Sequence, residues 1–293
     1  MFRRLWDNVR RSRLKLGVVA AGCGCALCGI GGGIWGFHFE PSGFQVNHYS
    51  VRLHNWHPEL NGLTVAVLTD IHQVNSPEEL ARLRRIVAAV NAESPDIVVL
   101  LGDFMGKAVD VFKRNASQET IALILRDLHG RFGCYAVLGN HDVWWGADIM
   151  RDALESVGIP VFENSYKTLL IRGKELNIIG LPDLQSRSTK FNPAVLPGPE
   201  TPALVLSHNP DYFQDADLPY EFMLSGHTHG GQVKLPFVGA VLTASKYGKR
   251  YSEGMCSRNG KQLFVSRGLG TSILHLRLMC PPEVAIVTIF QAE

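Results

Sequence analysis

Two histidines one residue apart, His227 and His229, stand in the stretch Ser225-Gly226-His227-Thr228-His229-Gly230-Gly231-Gln232. The apolar run Phe222-Met223-Leu224 before it reads as the end of a buried strand. Residues i and i+2 of an extended chain project to the same side, so both imidazoles can aim into one site. Gly226, Gly230 and Gly231 carry no Cβ, which lets the backbone turn sharply and an ion or a phosphate come close. Neutral imidazoles so placed suit a metal. A lone pair of this kind is more often two ordinary loop histidines, so its weight depends on what else ends the same way.

Four more apolar runs do. Val65-Ala66-Val67-Leu68 runs into Asp70 and His72, and Ile97-Val98-Val99-Leu100-Leu101 into Gly102-Asp103. Tyr135-Ala136-Val137-Leu138 runs into Gly139-Asn140-His141-Asp142, and Leu204-Val205-Leu206 into Ser207-His208. Each of these polar residues alone reads as a cap or turn former. Five coincidences of strand end and ligand read as one site. Short apolar runs rich in β-branched residues mark strands buried on both faces, and ligands of open α/β sheets gather beyond the carboxyl ends of such strands.

The donors are carboxylate, imidazole and amide, without thiolate. That set favours manganese, iron or zinc, and several ligands from separate loops suit two ions better than one. Two divalent ions roughly 3.5–4 Å apart polarise a phosphoryl group and create hydroxide near neutral pH. They also remove the need for a protein nucleophile, which agrees with the lack of a convincing Ser-His-Asp set.

The elements that must hold these loops are readable in outline. Ser76-Pro77-Glu78-Glu79 supplies an N-cap, a Pro at N1 and a Glu at N3, and starts a helix to about residue 91. Residues 117–128 and 147–157 read as further helices, the second stopped by Gly158. Residues 167–171 and 176–179 flank Arg172-Gly173-Lys174 as a hairpin. A β pair around 232–235 and 239–242, a strand at 262–266 and a last strand at 284–290 follow. Strands alternate with helices early and hairpins dominate late, which predicts an α/β fold, a mixed two-sheet sandwich flanked by helices. Residues 41–293 form one domain on this reading, after an N-terminal segment, residues 1–40.

Charge excludes one class of partner. The chain of 293 residues carries a formal +2, but six cations against Asp7 put +5 in the first fifteen residues and leave about −3 for the rest. No basic stripe of the kind nucleic-acid binding needs is present. Residues 16–39 contain no Asp, Glu, Lys or Arg. As a helix they would extend about 36 Å, enough to cross the ~30 Å hydrocarbon core. The basic cluster before them predicts a retained membrane anchor with its N-terminus in the cytoplasm and the domain outside. The competing readings are a twin-arginine export signal around Arg10-Arg11, or the cytoplasmic face. Cys134, Cys256 and Cys280 lack C-x-x-C spacing and read as small buried hydrophobes, with a Cys256–Cys280 bridge left open.

Asp70-x-His72, Gly102-Asp103, Gly139-Asn140-His141-Asp142, His208 and Gly226-His227-x-His229, in this order, resemble the five signature blocks of the calcineurin-like metallophosphoesterases. Ser207-His208-Asn209-Pro210-Asp211, His229-Gly230-Gly231-Gln232 and Ser266-Arg267-Gly268-Leu269-Gly270 with Pro282-Glu283 bring the likeness closest to bacterial membrane-associated phosphodiesterases of that family. The resemblance covers about residues 60–290. It implies a four-layer αββα sandwich of two mixed sheets, and a dinuclear hydrolase of phosphoric esters that uses a metal-bound hydroxide. It also implies roles. Asp70, His72 and His229 would hold the first metal, Asp103 would bridge, and Asn140, His208 and His227 would complete the second. His141 would sit beside the phosphate as general acid or charge stabiliser. Gln73-Val74 departs from the usual apolar-Gly pair and is expected to reshape the rim without removing a ligand.

Other residues have two readings each. Arg267 is a bidentate phosphate contact or half of a structural ion pair. Trp144 and Trp145 wall an apolar substrate pocket or pack under the His141 loop. Asp142 braces that loop. The likeness and the anchor also suggest a lipid-linked diphosphate such as UDP-2,3-diacylglucosamine as substrate. A non-enzymatic scaffold on the same fold is disfavoured, because buried carboxylates and histidines without metals would be costly.

Overall fold

The computed structural model describes residues 29–106, 116–185 and 189–293. Each apolar run named above is a strand. A first sheet contains β1 (Gln45–Leu53), β2 (Leu63–Leu68), β3 (Ile97–Leu101), β4 (Cys134–Val137) and β13 (Glu283–Gln291), in the order β1-β13-β2-β3-β4. A second contains β5 (Ser165–Ile171), β6 (Lys174–Gly180), β7 (Ala203–Leu206), β8 (Phe222–Ser225), β11 (Gly254–Arg258) and β12 (Lys261–Val265), in the order β11-β12-β8-β7-β6-β5. A two-stranded ribbon, β9 (Lys234–Leu235) and β10 (Gly239–Ala240), stands apart. Both large sheets are mixed. β2, β3 and β4 run parallel with β13 antiparallel to β2, and β6, β7, β8 and β12 run parallel between antiparallel edges.

Alternation explains why the runs are apolar throughout. Val65, Val67, Ile97, Val99 and Leu101 face Leu204, Leu206, Phe222, Leu224 and Phe264 in the core between the sheets. Their neighbours Ala66, Leu68, Val98 and Leu100 point the other way. There they meet Leu83, Ile86 and Val90 of α1 (Pro77–Ala92), Ile121 and Leu125 of α2 (Gln118–Leu125), and Met150 and Leu154 of α3 (Asn140–Ser156). Fully burying each such side chain contributes roughly 1.5–3 kcal/mol. The far face of the second sheet has thinner cover. Val205, Met223, Leu263 and Val265 pack under Tyr212 and Phe213 of α4 (Tyr212–Asp215) and Tyr251 of the 3-10 turn Gly248–Tyr251. The layers are those of the expected sandwich, with the fourth built from short turns.

The caps behave as their sequence requires. Ser76 Oγ accepts from the Glu79 N–H at 3.2 Å, and Ser117 Oγ from the Thr120 N–H at 3.2 Å. The third helix starts seven residues earlier than expected, at Asn140, because Gly146 takes φ +110° and joins two helical segments across a kink. Cys134, Cys256 and Cys280 are free thiols, so there is no Cys256–Cys280 bridge. Most of the expected anchor, residues 16–28, and the basic cluster before it lie outside the described residues. Among the described residues no helix is long and apolar enough to cross a membrane. Residues 29–34 are helical and run into a π-helical turn, Trp35–Phe39.

Candidate metal centre

The loops after β2, β3, β4, β7 and β8 converge at one end of the sandwich. Asp70, His72 and His229 bring one donor atom each within 4.8 Å of one another; so do Asp103, His208 and His227, and a third such group is His72, Asp103 and His141. The two triads meet at Asp103, whose Oδ2 lies 3.7 Å from His72 Nε2 and 3.3 Å from His208 Nε2. On the first side His229 Nε2 lies 3.3 Å from Asp70 Oδ1 and 3.1 Å from His72 Nε2. On the second, His208 Nε2 and His227 Nδ1 are 3.1 Å apart. All seven expected ligands are buried.

The backbone is forced to make this possible. Asp70, His72, Asp103, His227 and His229 all adopt left-handed φ, between 46° and 71°. Non-glycine residues rarely do so, and such outliers cluster at functional sites. Two glycines are required by contact. A Cβ at Gly226 would stand 2.6 Å from Asp70 Oδ2, and one at Gly139 2.2 Å from Asp103 Oδ1. Asp142 then ties the pieces together. Its carboxylate accepts the N–H groups of Asp103, Phe104, Met105 and Gly139 at 2.8–3.1 Å. Burial, then the Asp103 charge, pushes the Asp142 carboxyl up to about 7. Its contacts are all N–H donors, however, and an acid proton would find no acceptor among them, so the geometry holds Asp142 ionised. Its expected bracing role is what the structure shows.

The donor set fits divalent cations. His72 Nδ1 donates to the Met105 carbonyl at 2.9 Å and His208 Nδ1 to the Leu101 carbonyl at 2.7 Å. These bonds set the tautomers and turn the Nε2 lone pairs into the site, as metal-binding histidines require. Ring nitrogens and carboxylate oxygens then converge on one space, and Asp70 Oδ1 and Asn140 Oδ1 are buried without a hydrogen-bond partner. Burial pushes the Asp70 carboxyl up to about 6 and drives His227 down to about 3 and His141 down to about 4. Burial also holds His72 below the ordinary range and His229 well below it. On His208 burial acts downward, but Asp103 and then Asp70 overcome it and lift the ring to about 10. Burial acts upward most strongly on Asp103, but the charge and hydrogen bond of His208 and the charges of His72 and His141 together outweigh it and hold the carboxyl far below the usual range. Protons there do what cations would do more completely, since ligation requires neutral imidazole and ionised carboxylate.

The remaining expectations divide. Asn140 and His141, at the start of α3, line a cavity of about 690 Å³ together with Asp103, His227 and His229. Trp144 lines it too, with its ring centroid 4.7 Å from that of His141. Trp145 is not among the lining residues and donates its indole N–H to the Gly106 carbonyl at 2.9 Å. Arg267 is likewise absent from the lining and is held by Glu283 at 2.9 Å, the ion pair of its second reading. Gln73 is buried, and its amide donates to the Val74 carbonyl, so it does not shape the rim.

Two residues escaped the sequence analysis. Asp183, just past β6, is buried with Oδ2 unpartnered, and its charge acts on His208. The run Ile178-Ile179-Gly180-Leu181 into Asp183 carried the same signal as the other strand ends. Arg277 is fully buried and donates to the carbonyls of Arg267, Gly268, Gly270 and Cys280 at 2.6–3.1 Å. It shapes the turn whose Gly270 N–H meets the Asp70 carbonyl at 2.6 Å. Nothing in its local sequence marks it.

The calcineurin-like phosphoesterase family model matches residues 63–231, more than half of the chain and a span that includes all seven expected ligands. The chain belongs to that family and is a metal-dependent hydrolase of phosphoric esters. It is 30% identical to the uncharacterized metallophosphoesterase YkuE of Bacillus subtilis (strain 168), over 96% of this chain and 97% of that one. It is 29% identical to the phosphodiesterase YaeI of Escherichia coli (strain K12), over 85% and 89%. It is 28% identical to the UDP-2,3-diacylglucosamine pyrophosphatase LpxG of Chlamydia muridarum, over 87% and 92%.

Proposed function

We propose that the chain hydrolyses phosphodiester or diphosphate bonds, with Asp70, His72 and His229 holding one divalent ion, Asn140, His208 and His227 a second, and Asp103 bridging both. The observation that carries this reading is the position of the Asp103 carboxylate, within 3.7 Å of a histidine of each triad. Bound manganese, iron or zinc ions would polarise the phosphoryl group and supply the hydrolytic nucleophile. His141, beside Asn140 and facing the cavity, protonates or stabilises the departing oxygen. A cavity of about 690 Å³ leaves room for substituents on both sides of a phosphorus, which favours diesters over monoesters. The likeness to a diacylglucosamine pyrophosphatase supports a second reading, a lipid-linked diphosphate as substrate. Residues 16–39 anchor the chain, with the domain on the outer side of a bacterial inner membrane.

One preparation tests both parts. The manganese-loaded full chain is given monoesters, diesters and nucleotide-lipid diphosphates, and kcat/KM for the best diester or diphosphate is expected to exceed that for any monoester at least about tenfold, roughly 1.4 kcal/mol of transition-state binding. A monoester preference would reverse the substrate class. Protease added to intact spheroplasts of the same cells is expected to digest the domain; protection until lysis would place it on the cytoplasmic side.

A further inference from the structure

The cavity at the metal centre has two chemically different walls. Asp103, Asn140, His141, His227 and His229 form one; Trp144, Val241, Leu242, Ile273, Leu274 and Leu276 form the other. No lysine or arginine is among the described lining residues. The volume falls within the roughly 300–1,000 Å³ of small-molecule sites and exceeds what a phosphoryl group alone requires.

The apolar wall is not a core. Leu242 is 79% exposed and Ile273 69%, whereas contiguous exposed apolar surface on a folded domain marks a binding surface. Ile273 also stands at φ +67°, a genuine outlier for a β-branched side chain. Gln232 holds it there. Its amide donates to the Ser272 carbonyl at 3.0 Å and its oxygen accepts the Ser272 N–H. A strained, pinned residue that presents an aliphatic side chain to the mouth of a hydrolytic site is not explained by packing.

The wall is continuous with another apolar element. The Arg277 N–H donates to the Gly36 carbonyl at 2.9 Å, and the Met279 N–H to Glu40 at 3.1 Å. The segment carrying Leu276 is thus clasped to the helical residues 29–39, whose Ile30, Ile34, Trp35 and Phe39 are exposed. That helix leads back to the uncharged residues 16–28.

We infer that the apolar wall is a slot for the hydrocarbon tail of an amphiphilic phosphoester whose phosphate lies at the metal centre. The slot rests on the phosphoester reading above and adds the chemistry of the substituent. A tail leaving the phosphate meets Trp144, Leu242 and Ile273 before it meets bulk water, and the clasped helix extends the same apolar surface.

The test uses the manganese-loaded full chain and alkyl p-nitrophenyl phosphates from methyl to decyl, below their critical micelle concentrations. Water attacks phosphorus, the bond to the nitrophenyl oxygen breaks and p-nitrophenolate leaves, so the leaving group is constant along the series. Wild-type kcat/KM is expected to rise about two- to fourfold per methylene until the slot is filled. The double variant Leu242→Asp, Ile273→Asp, or Ile273→Asp alone, is expected to cut the decyl-to-methyl ratio at least about tenfold. Both positions are exposed, so the circular dichroism spectrum should not change. Calorimetric titration with decylphosphonate and methylphosphonate reads the same preference without turnover. A wild-type ratio near one overturns the slot and leaves the hydrolase standing, as does an unaltered ratio in the folded variants. A preserved decylphosphonate preference with no turnover of any ester would overturn the hydrolase reading and leave the slot.

Discussion

Asp103→Asn is expected to lose more than about a thousandfold in kcat/KM and to bind both ions weakly, a larger effect than the ~10–100-fold of removing an outer partner of a metal ligand. One carboxylate oxygen faces histidines of both triads, so its charge would be shared by two cations, and an amide supplies none. The other oxygen accepts the His141 N–H at 2.8 Å. An asparagine oxygen can keep that bond, so the loop should stay folded, which circular dichroism can check. Elemental analysis after dialysis then gives the decisive number. Two tightly held ions in the folded variant would count against a bridging role.

His141→Ala is expected to keep both ions and lose ~10²–10⁴-fold in turnover, the usual contribution of a positioned acid. The loss should depend on the leaving group. Nitrophenolate departs without much protonation, whereas an alkoxide does not, so an alkyl ester should suffer more. Metal content is the essential control, because a His141 ring nitrogen comes within 4.8 Å of donor atoms of His72 and Asp103. Equal losses on both esters, with the metal content halved, would make His141 a ligand instead of an acid.

The candidate site was legible because each expected ligand follows a short apolar run of the kind that marks a strand buried on both faces. Val65 and Val67 point into the inter-sheet core while Ala66 and Leu68 point under the helices, and that double burial left β2 without a polar interruption. The half-buried edge strand β11, Gly-Met-Cys-Ser-Arg, has no such run and was not foreseen. Arg277 escaped for a different reason. A buried guanidinium is specified by the carbonyls that surround it, and those belong to residues brought together only in the folded turn. Arg267 and Trp145 show the converse limit. Their types suit a phosphate and an apolar pocket, but Glu283 and the Gly106 carbonyl claim them.

The left-handed backbone at Asp70, His72, Asp103, His227 and His229 ties the lifetime of the fold to metal supply. Each such residue costs roughly 1–2 kcal/mol, so together they take back a sizeable part of the ~5–15 kcal/mol net stability of a typical domain. Ions that bind only the native state return stability in proportion to the logarithm of their free concentration. The melting temperature of the full chain should therefore climb steadily as free manganese is raised past its dissociation constant, and a flat melting temperature across that range would sever the link. Where the link holds, a cell starved of the metal loses the enzyme twice: first as a catalyst, then as a folded protein open to proteolysis.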